Sequence, residues 1–259
     1  MHFRRPFSIF LAVFLFSISV AAQQPPLRDP QALAILAQSL TVIGGATPGD
    51  SVASGNVTFY VGGEEEKATL RILTRGLRQY RQEVNTSSRQ RVLTFSRGRA
   101  SSHYGTDSEK LLSHNAVNDY CPYFPLASIM ADLKNPDLAV QYLGAESIDG
   151  SPGHRVRLWN TFASNPEAAS AEIGRYTATE VWIDATSLLP RKLAFSVFAR
   201  EAPNEPIPVE ITYAAYGNFG GVLYPTRILK NFNGTPYALI EIQQVLLNVG
   251  LTEADFAVK

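Results

Sequence analysis

The sequence predicts an α+β protein that is mainly β, an antiparallel meander with one amphipathic helix near its start and a helical insertion in its middle. Three observations predict this. Apolar residues recur at spacings of three and four over residues 29–45, and again near 126–134. Elsewhere, run after run alternates apolar and polar residues with a period of two. Clusters of Gly, Pro, Asn and Asp separate those runs. With 259 residues, 45% of them hydrophobic, the chain can fill one sizeable core.

Residues 1–22 are set apart from the fold. "MHFRRP" is a short basic leader, and "FSIFLAVFLFSISV" is an apolar run too short to span a bilayer comfortably. Val20 and Ala22, small residues before Gln23, have the shape of a secretory cleavage site. The expectation is a cleaved signal followed by one exported domain over residues 23–259. Arg4-Arg5-Pro6-Phe7 echoes a twin-arginine signal, but the leader before it is very short for that route. Gln23 is not a cysteine, so no lipid attachment is expected there.

With Arg4 and Arg5 removed, basic residues fall two short of the 23 acidic ones, a net charge near −2. That argues against nucleic acid as a partner. Cys121 is the only cysteine, so no internal disulfide can form and packing alone must hold the fold.

In chain order, "RDPQALAILAQSLTVIGG" gives the helix. Asp29 suits the N-cap and Pro30 the first helical position. Leu33, Leu36, Leu40 and Ile43 form one stripe, and Gly44-Gly45 stop it. "ATPGDSVASG" reads as a loop. Alternation follows in "KATLRILTR", "HRVRLWNTF", "TEVWID", "RKLAFSVFA" and "IPVEITY", for about ten strands in all. "VGGEEEK", "IDGSPG", "REAPNEP", "YGNFGG" and "NFNGTP" are the turns between them. From Asp107 to Asn135 the strand pattern stops. A helical turn is expected near Lys110–His114 and a better helix over Leu126–Lys134, with Leu126, Ile129, Met130 and Leu133 on one side. "SNPEAASAEIGRY" reads as a polar loop.

The glycines of "YGNFGGVLYPTRI" could suggest a phosphate loop, but such a loop must open a helix. Here Val222, Tyr224, Thr226 and Ile228 alternate with Leu223, Pro225, Arg227 and Leu229, so the glycines make a hairpin turn. Pro225 marks an edge strand or a bulge. Among the histidines, none has metal-ligand spacing, so no metal or other cofactor is expected. His114, Asp119 and Cys121 lie within eight residues and could form a thiol–imidazole pair, although Pro122, Tyr123 and Phe124 suit a buried, inert thiol better. Between Lys67 and Arg99, Arg71, Arg75, Arg78, Arg81 and Arg91 belong to a basic run in which Glu83 is the only acid. On neighbouring strands they would form a stripe for an anionic partner, or simply a solvated strand face.

The C-terminal third resembles the LolA/LppX-like superfamily of outer-membrane lipoprotein carriers and related periplasmic proteins. The resemblance lies in "VWIDATSLLPRKLAF", "ITYAAYGNFGGVLYPTRI" and "IEIQQVLLNVGLTEADFAV", which closes on Asn248-x-Gly250-Leu251-x-x-x-Asp255-Phe256. It implies a strongly curved antiparallel half-barrel whose concave face is covered by helices and encloses an apolar cavity for acyl chains. The N-terminal helix and the middle insertion would then be the cover. On that reading Leu36, Leu40, Leu126, Ile129, Met130, Leu133, Trp182, Phe195, Phe198 and Tyr213 are candidates to line the cavity. The implied protein is a non-enzymatic periplasmic or secreted binding protein. Its partner would be a lipid or a lipid-modified protein, with an envelope membrane protein as a further partner. The alternative is an envelope scaffold docking through its arginines, and more remotely a hydrolase using Cys121 and His114.

Overall fold

The computed structural model describes residues 28–45, 47–76, 79–105, 107–111, 132–161 and 171–258. Its strands are β1 (Asp50–Val61), β2 (Glu64–Arg75), β3 (Gln79–Asn85), β4 (Gln90–Ser96), β5 (Arg99–Tyr104), β6 (Asp107–Leu111), β7 (Leu138–Ile148), β8 (Ser151–Asn160), β9 (Thr179–Asp184), β10 (Pro190–Phe198), β11 (Pro206–Phe219), β12 (Val222–Phe232) and β13 (Thr235–Leu247). All belong to one sheet in the order β6-β5-β4-β3-β2-β1-β13-β12-β11-β10-β9-β8-β7, and every pairing is antiparallel. Two meanders, β1–β6 and β7–β13, are thus joined where β1 meets β13.

Among the described residues the edge strands β6 and β7 do not pair with each other, and the sheet is an open, curved half-barrel. Bulges at Ser54/Gly55, Tyr142/Gly144, Pro190/Lys192, Tyr213–Tyr216 and Lys230/Asn231 bend individual strands and add twist. The inner face carries one contiguous apolar cluster that reaches from Ala100 on β5 to Val140 on β7. The hairpin turns follow local chemistry. Gly62-Gly63, Arg97-Gly98, Asp149-Gly150, Gly220-Gly221 and Asn233-Gly234 all have positive φ at both residues, as the tight hairpin turns matched to strand twist require.

Helix α1 (Pro30–Ile43) starts where expected. Asp29 Oδ1 accepts from the Gln31 and Ala32 N–H groups, and its own N–H donates to the Val140 carbonyl. Asp29 Oδ2 accepts from the Tyr142 N–H, and Arg28 bridges Val140 in parallel. Residues 28 and 29 therefore cover part of the open edge of β7, where unpaired backbone groups would otherwise invite another strand. The helix packs against β7 at one end and β12 further along. Fourteen residues make about 21 Å, close to the roughly 24 Å across the strands from β7 to β12. Its buried residues, Ala32, Ile35, Leu36, Ser39 and Ile43, keep the helical spacing. At its end Gly44 (φ +140°) has no room for a side chain, because a Cβ there would lie 2.8 Å from the Gly221 carbonyl oxygen.

The structure departs from the sequence reading in four places. The described residues form thirteen strands, against about ten expected. "DSVASG" is the first half of β1, not loop; its small side chains give no strand signal, yet Ser51, Ala53 and Gly55 are buried. Asp107–Leu111, inside the expected interruption, is β6, and Asp132–Lys134 is a single 3-10 turn. The rest of the expected helices, with Leu126, Ile129 and Met130, lies outside the described residues. The polar loop contains α2 (Ala171–Thr177), which packs on the outer face against β8 and β10. Gly174 sits over Trp159, and the Tyr176 and Phe198 rings meet edge-on at 4.6 Å.

The hydrogen bonds that fix these ends set an acid limit. Burial raises the Asp29 carboxyl, but the N–H groups of Ala32, Tyr142 and Gln31 together outweigh it and hold the pKa below 3.8. The Ser187 N–H lowers Asp184, and the Thr252 N–H lowers Asp255. A carboxylate with a depressed folded pKa stabilises the fold above its unfolded pKa, and that stability is lost as pH falls through the folded value. Thermal melts between about pH 7 and about pH 2.5 should show the melting temperature dropping below about pH 4. Asp29→Asn should melt lower than wild type at neutral pH and lose less on acidification. An equal drop in both would remove Asp29 from the effect.

Candidate ligand-binding face

Cross-strand register assigns each side chain to a face, because directly opposed residues point the same way. Leu193, Ile211, Lys230, Ala238 and Phe59 form one inner row across β10, β11, β12, β13 and β1. A second inner row runs through Phe195, Val209 and Phe232 toward the end carrying the Gly62-Gly63 and Asn233-Gly234 turns. At that end the inner face is not sealed. Phe59, Ile207 and Tyr237 are half-buried, and Phe232 is 36% exposed. The Tyr237 ring stands 5.7 Å from that of Phe59 and 6.2 Å from that of Phe232, so these aromatics form an apolar mouth.

The opposite end of the inner face is polar at its floor. Ser51 Oγ and Thr74 Oγ1 lie 2.7 Å apart. Burial pushes the Tyr224 phenol up to about 12, against a hydrogen bond with Ser51 that pulls it back. Burial also raises Tyr216, whose hydroxyl donates to the Pro190 carbonyl. Raised in this way, both phenols stay protonated at neutral pH.

Of the residues expected to line a cavity, Leu36, Phe195 and Tyr213 belong to the inner cluster, and Leu40 and Leu133 pack against it. Trp182 and Phe198 do not join them. Val181 and Ile183 face inward, so Trp182 faces outward, where the Arg155 and Lys192 cations lie 4.8 and 4.7 Å from its ring. Its Nε1 donates to Glu146. Phe198 shares the outer face, under Tyr176 of α2. The alternation in "TEVWID" sets Trp182 opposite Val181, so strand parity carries this placement where hydrophobicity alone does not.

The arginines do not make one stripe. Arg71, Arg75 and Arg81 face outward, with Arg71 and Arg81 flanking Glu83 at 3.4 and 2.7 Å. Arg91 pairs with Val84 and Tyr104 on the inner side, so it leaves the outer patch. Its guanidinium lies 5.2 Å from the Tyr104 ring. Arg78, His114, Asp119 and Cys121 lie outside the described residues.

Two residues that carry no motif in the sequence have defined places in the fold. Arg28 donates to the carbonyls of Leu133, Asn135 and Leu138, which fixes the return of the chain into β7. Lys230 is 4% exposed on the inner face. It shares parity with Ile228, so strand alternation was the signal that could have found it.

No family model and no curated protein matches the sequence. Solved structures do match in fold. An outer membrane lipoprotein-sorting protein domain from Vibrio parahaemolyticus is 14% identical, with a TM-score of 0.56 over 87% of this chain and 96% of its own. A LolA superfamily protein from Nitrosomonas europaea is 15% identical, with a TM-score of 0.56 over 88% and 97%. A DUF1329 family protein from Desulfovibrio piger is 11% identical, with a TM-score of 0.55 over 90% and 98%. The chain therefore has a LolA-like fold.

Proposed function

We propose that this is an exported, non-enzymatic binding protein that holds an acyl chain, as a free lipid or as part of a lipid-modified protein, against its apolar inner face. The observation that carries the reading is the continuous inner cluster of an open sheet ending in a mouth of partly exposed aromatics. A cluster built only to fill a core has no need to expose Phe232 beside Tyr237 and Phe59. Concave apolar surfaces with a few polar groups are the usual form of a small-molecule site. The likeness to a lipoprotein-sorting domain supports the same reading. A role as a carrier within the cell envelope follows from it, with delivery to an envelope membrane protein as the natural end of such a route.

The test is native mass spectrometry of protein purified gently from its own envelope, followed by solvent extraction. Co-purifying lipid at a defined stoichiometry is expected. Phe232→Asp, which places a charge at the mouth where folding tolerates it, should lower lipid occupancy about tenfold or more. A bare protein mass that also refuses added lipid would exclude the carrier reading.

A further inference from the structure

β1 and β13 stay in register only as far as Phe59 and Ala238. Beyond that pair the β1–β2 and β12–β13 hairpins separate, each closing in its own tight turn, Gly62-Gly63 and Asn233-Gly234. A cleft of about 490 Å³ opens there, lined by Tyr60, Gly62, Gly63, Leu229, Thr235 and Pro236. Its volume lies within the range of ligand sites, and none of those six residues is charged. The turn does not fill it, because a Cβ on Gly62 or Gly63 would meet nothing within 4 Å.

The cleft is on the opposite face from the aromatic mouth but at the same end of the sheet. Tyr60 follows inward-facing Phe59, and Leu229 stands between inward-facing Ile228 and Lys230, so both point outward. Pro236 pairs with Asn231, which shares the parity of Leu229. The mouth residues Phe59 and Tyr237 are therefore the chain neighbours of the cleft residues Tyr60 and Pro236. Two apolar surfaces meet around one gap in the sheet, one on each side of the point where β1–β13 pairing stops.

We propose that this cleft holds a second acyl chain, so that the preferred ligand carries two chains on one headgroup and straddles the end of the β1–β13 seam. The proposal rests on the acyl-binding reading above and specifies its ligand. One chain would lie on the inner face past Phe59, Tyr237 and Phe232. The other would lie outside on Leu229, Tyr60 and Pro236, and the headgroup would stay in water beyond the turns. Val61, beside Gly62 and 60% exposed, would be covered where the two chains join. The lining offers an apolar chain hydrophobic contact and offers a headgroup no counter-charge. Glu64 and Glu65 follow directly after the turn, so an anion would be repelled there rather than seated. Once the first chain is held, the second binds as an intramolecular event at high effective concentration.

The test compares 1,2-dioctanoyl-phosphatidylcholine with 1-hexadecanoyl-lysophosphatidylcholine, which share a headgroup and their total of acyl carbons but divide those carbons between two chains or one. Displacement of 1-aminoanthracene, with each lipid below its micellar concentration, reads the affinities. Wild type should bind the two-chain lipid about tenfold more tightly. Leu229→Asp should remove that preference while leaving the single-chain lipid within about twofold. Pro236→Asp, at an exposed position where folding tolerates the change, should do the same. Equal binding of both lipids by wild type, or tighter binding of the single chain, overturns the proposal without recourse to any variant. A two-chain preference that survives either substitution also overturns it. If wild type binds neither lipid, the acyl-binding reading itself fails, and the second subsite with it.

Discussion

Gly55→Ala is expected to destabilise the protein by about 3 kcal/mol or more. Gly55 stands on the inner face of β1 at the bulge where β1 meets β13. A Cβ there would lie 2.0 Å from the Glu241 carbonyl oxygen, and 2.9 Å from both Glu241 C and Ile242 Cα. All three are backbone atoms of the neighbouring strand, so no side-chain rotation can make room. A glycine inside a strand often marks such a close approach. The position magnifies the cost, because β1–β13 is the seam between the two meanders. Equilibrium urea unfolding checks it. A midpoint within error of wild type would mean that the two strands can separate locally, and the seam would then not be a fixed point of the fold.

Asp50→Ala is expected to cost about 3 kcal/mol, as charged acceptors of buried hydrogen bonds commonly do. Asp50 Oδ1 accepts from the Val249 N–H at 2.7 Å, and Oδ2 accepts from Gly250 and Leu251 at 3.0 and 3.1 Å. Its own carbonyl takes the Asn248 N–H, and Asn248 Oδ1 in return accepts from Gly49. One carboxylate thus turns the chain after β13 and aims it across the outer face. There the 3-10 turn Glu253–Phe256 packs on β3 and β4, and Phe256 is 1% exposed. Removing the carboxylate should release that whole segment. Hydrogen exchange of Val249–Phe256 should accelerate about a hundredfold, the kinetic image of such a loss, while exchange in β10–β12 changes less. Asp50→Asn keeps one acceptor oxygen and should fall between the two. Unchanged exchange at Val249–Phe256 would show that Phe256 alone holds the segment.

Much of the architecture was legible in the residues. The Asp29-Pro30 start of α1, the Gly44 stop and the glycine turns follow from rules that act over two to four residues, and the structure shows each of them. Pro225 in a strand implies an edge or a bulge. It lies in an interior strand beside the register shifts at Tyr213–Tyr216, so the bulge is the outcome. The closing Asn248-x-Gly250 motif was visible as a motif, but its partner was not, since Asp50 stands 199 residues earlier than Val249. Among the candidate cavity residues, apolar spacing puts Leu36, Phe195 and Tyr213 on the inner cluster, whereas Trp182 and Phe198 are as hydrophobic but have the opposite strand parity and lie on the outer face.

By itself, then, the sequence determined the class of the fold, its turns, its helix ends and the two faces of each strand. These depend on steric and hydrogen-bonding preferences of near neighbours. Only the tertiary structure decided that β1 pairs with β13, that the open edges are β6 and β7, and which strand face is the inner one. It also decided that Gly55 lies against a backbone and that Lys230 looks into the apolar face. Those facts depend on contacts that close long stretches of chain. The entropy of closing such loops varies only slowly with their length, so local sequence carries little record of which distant strand will win.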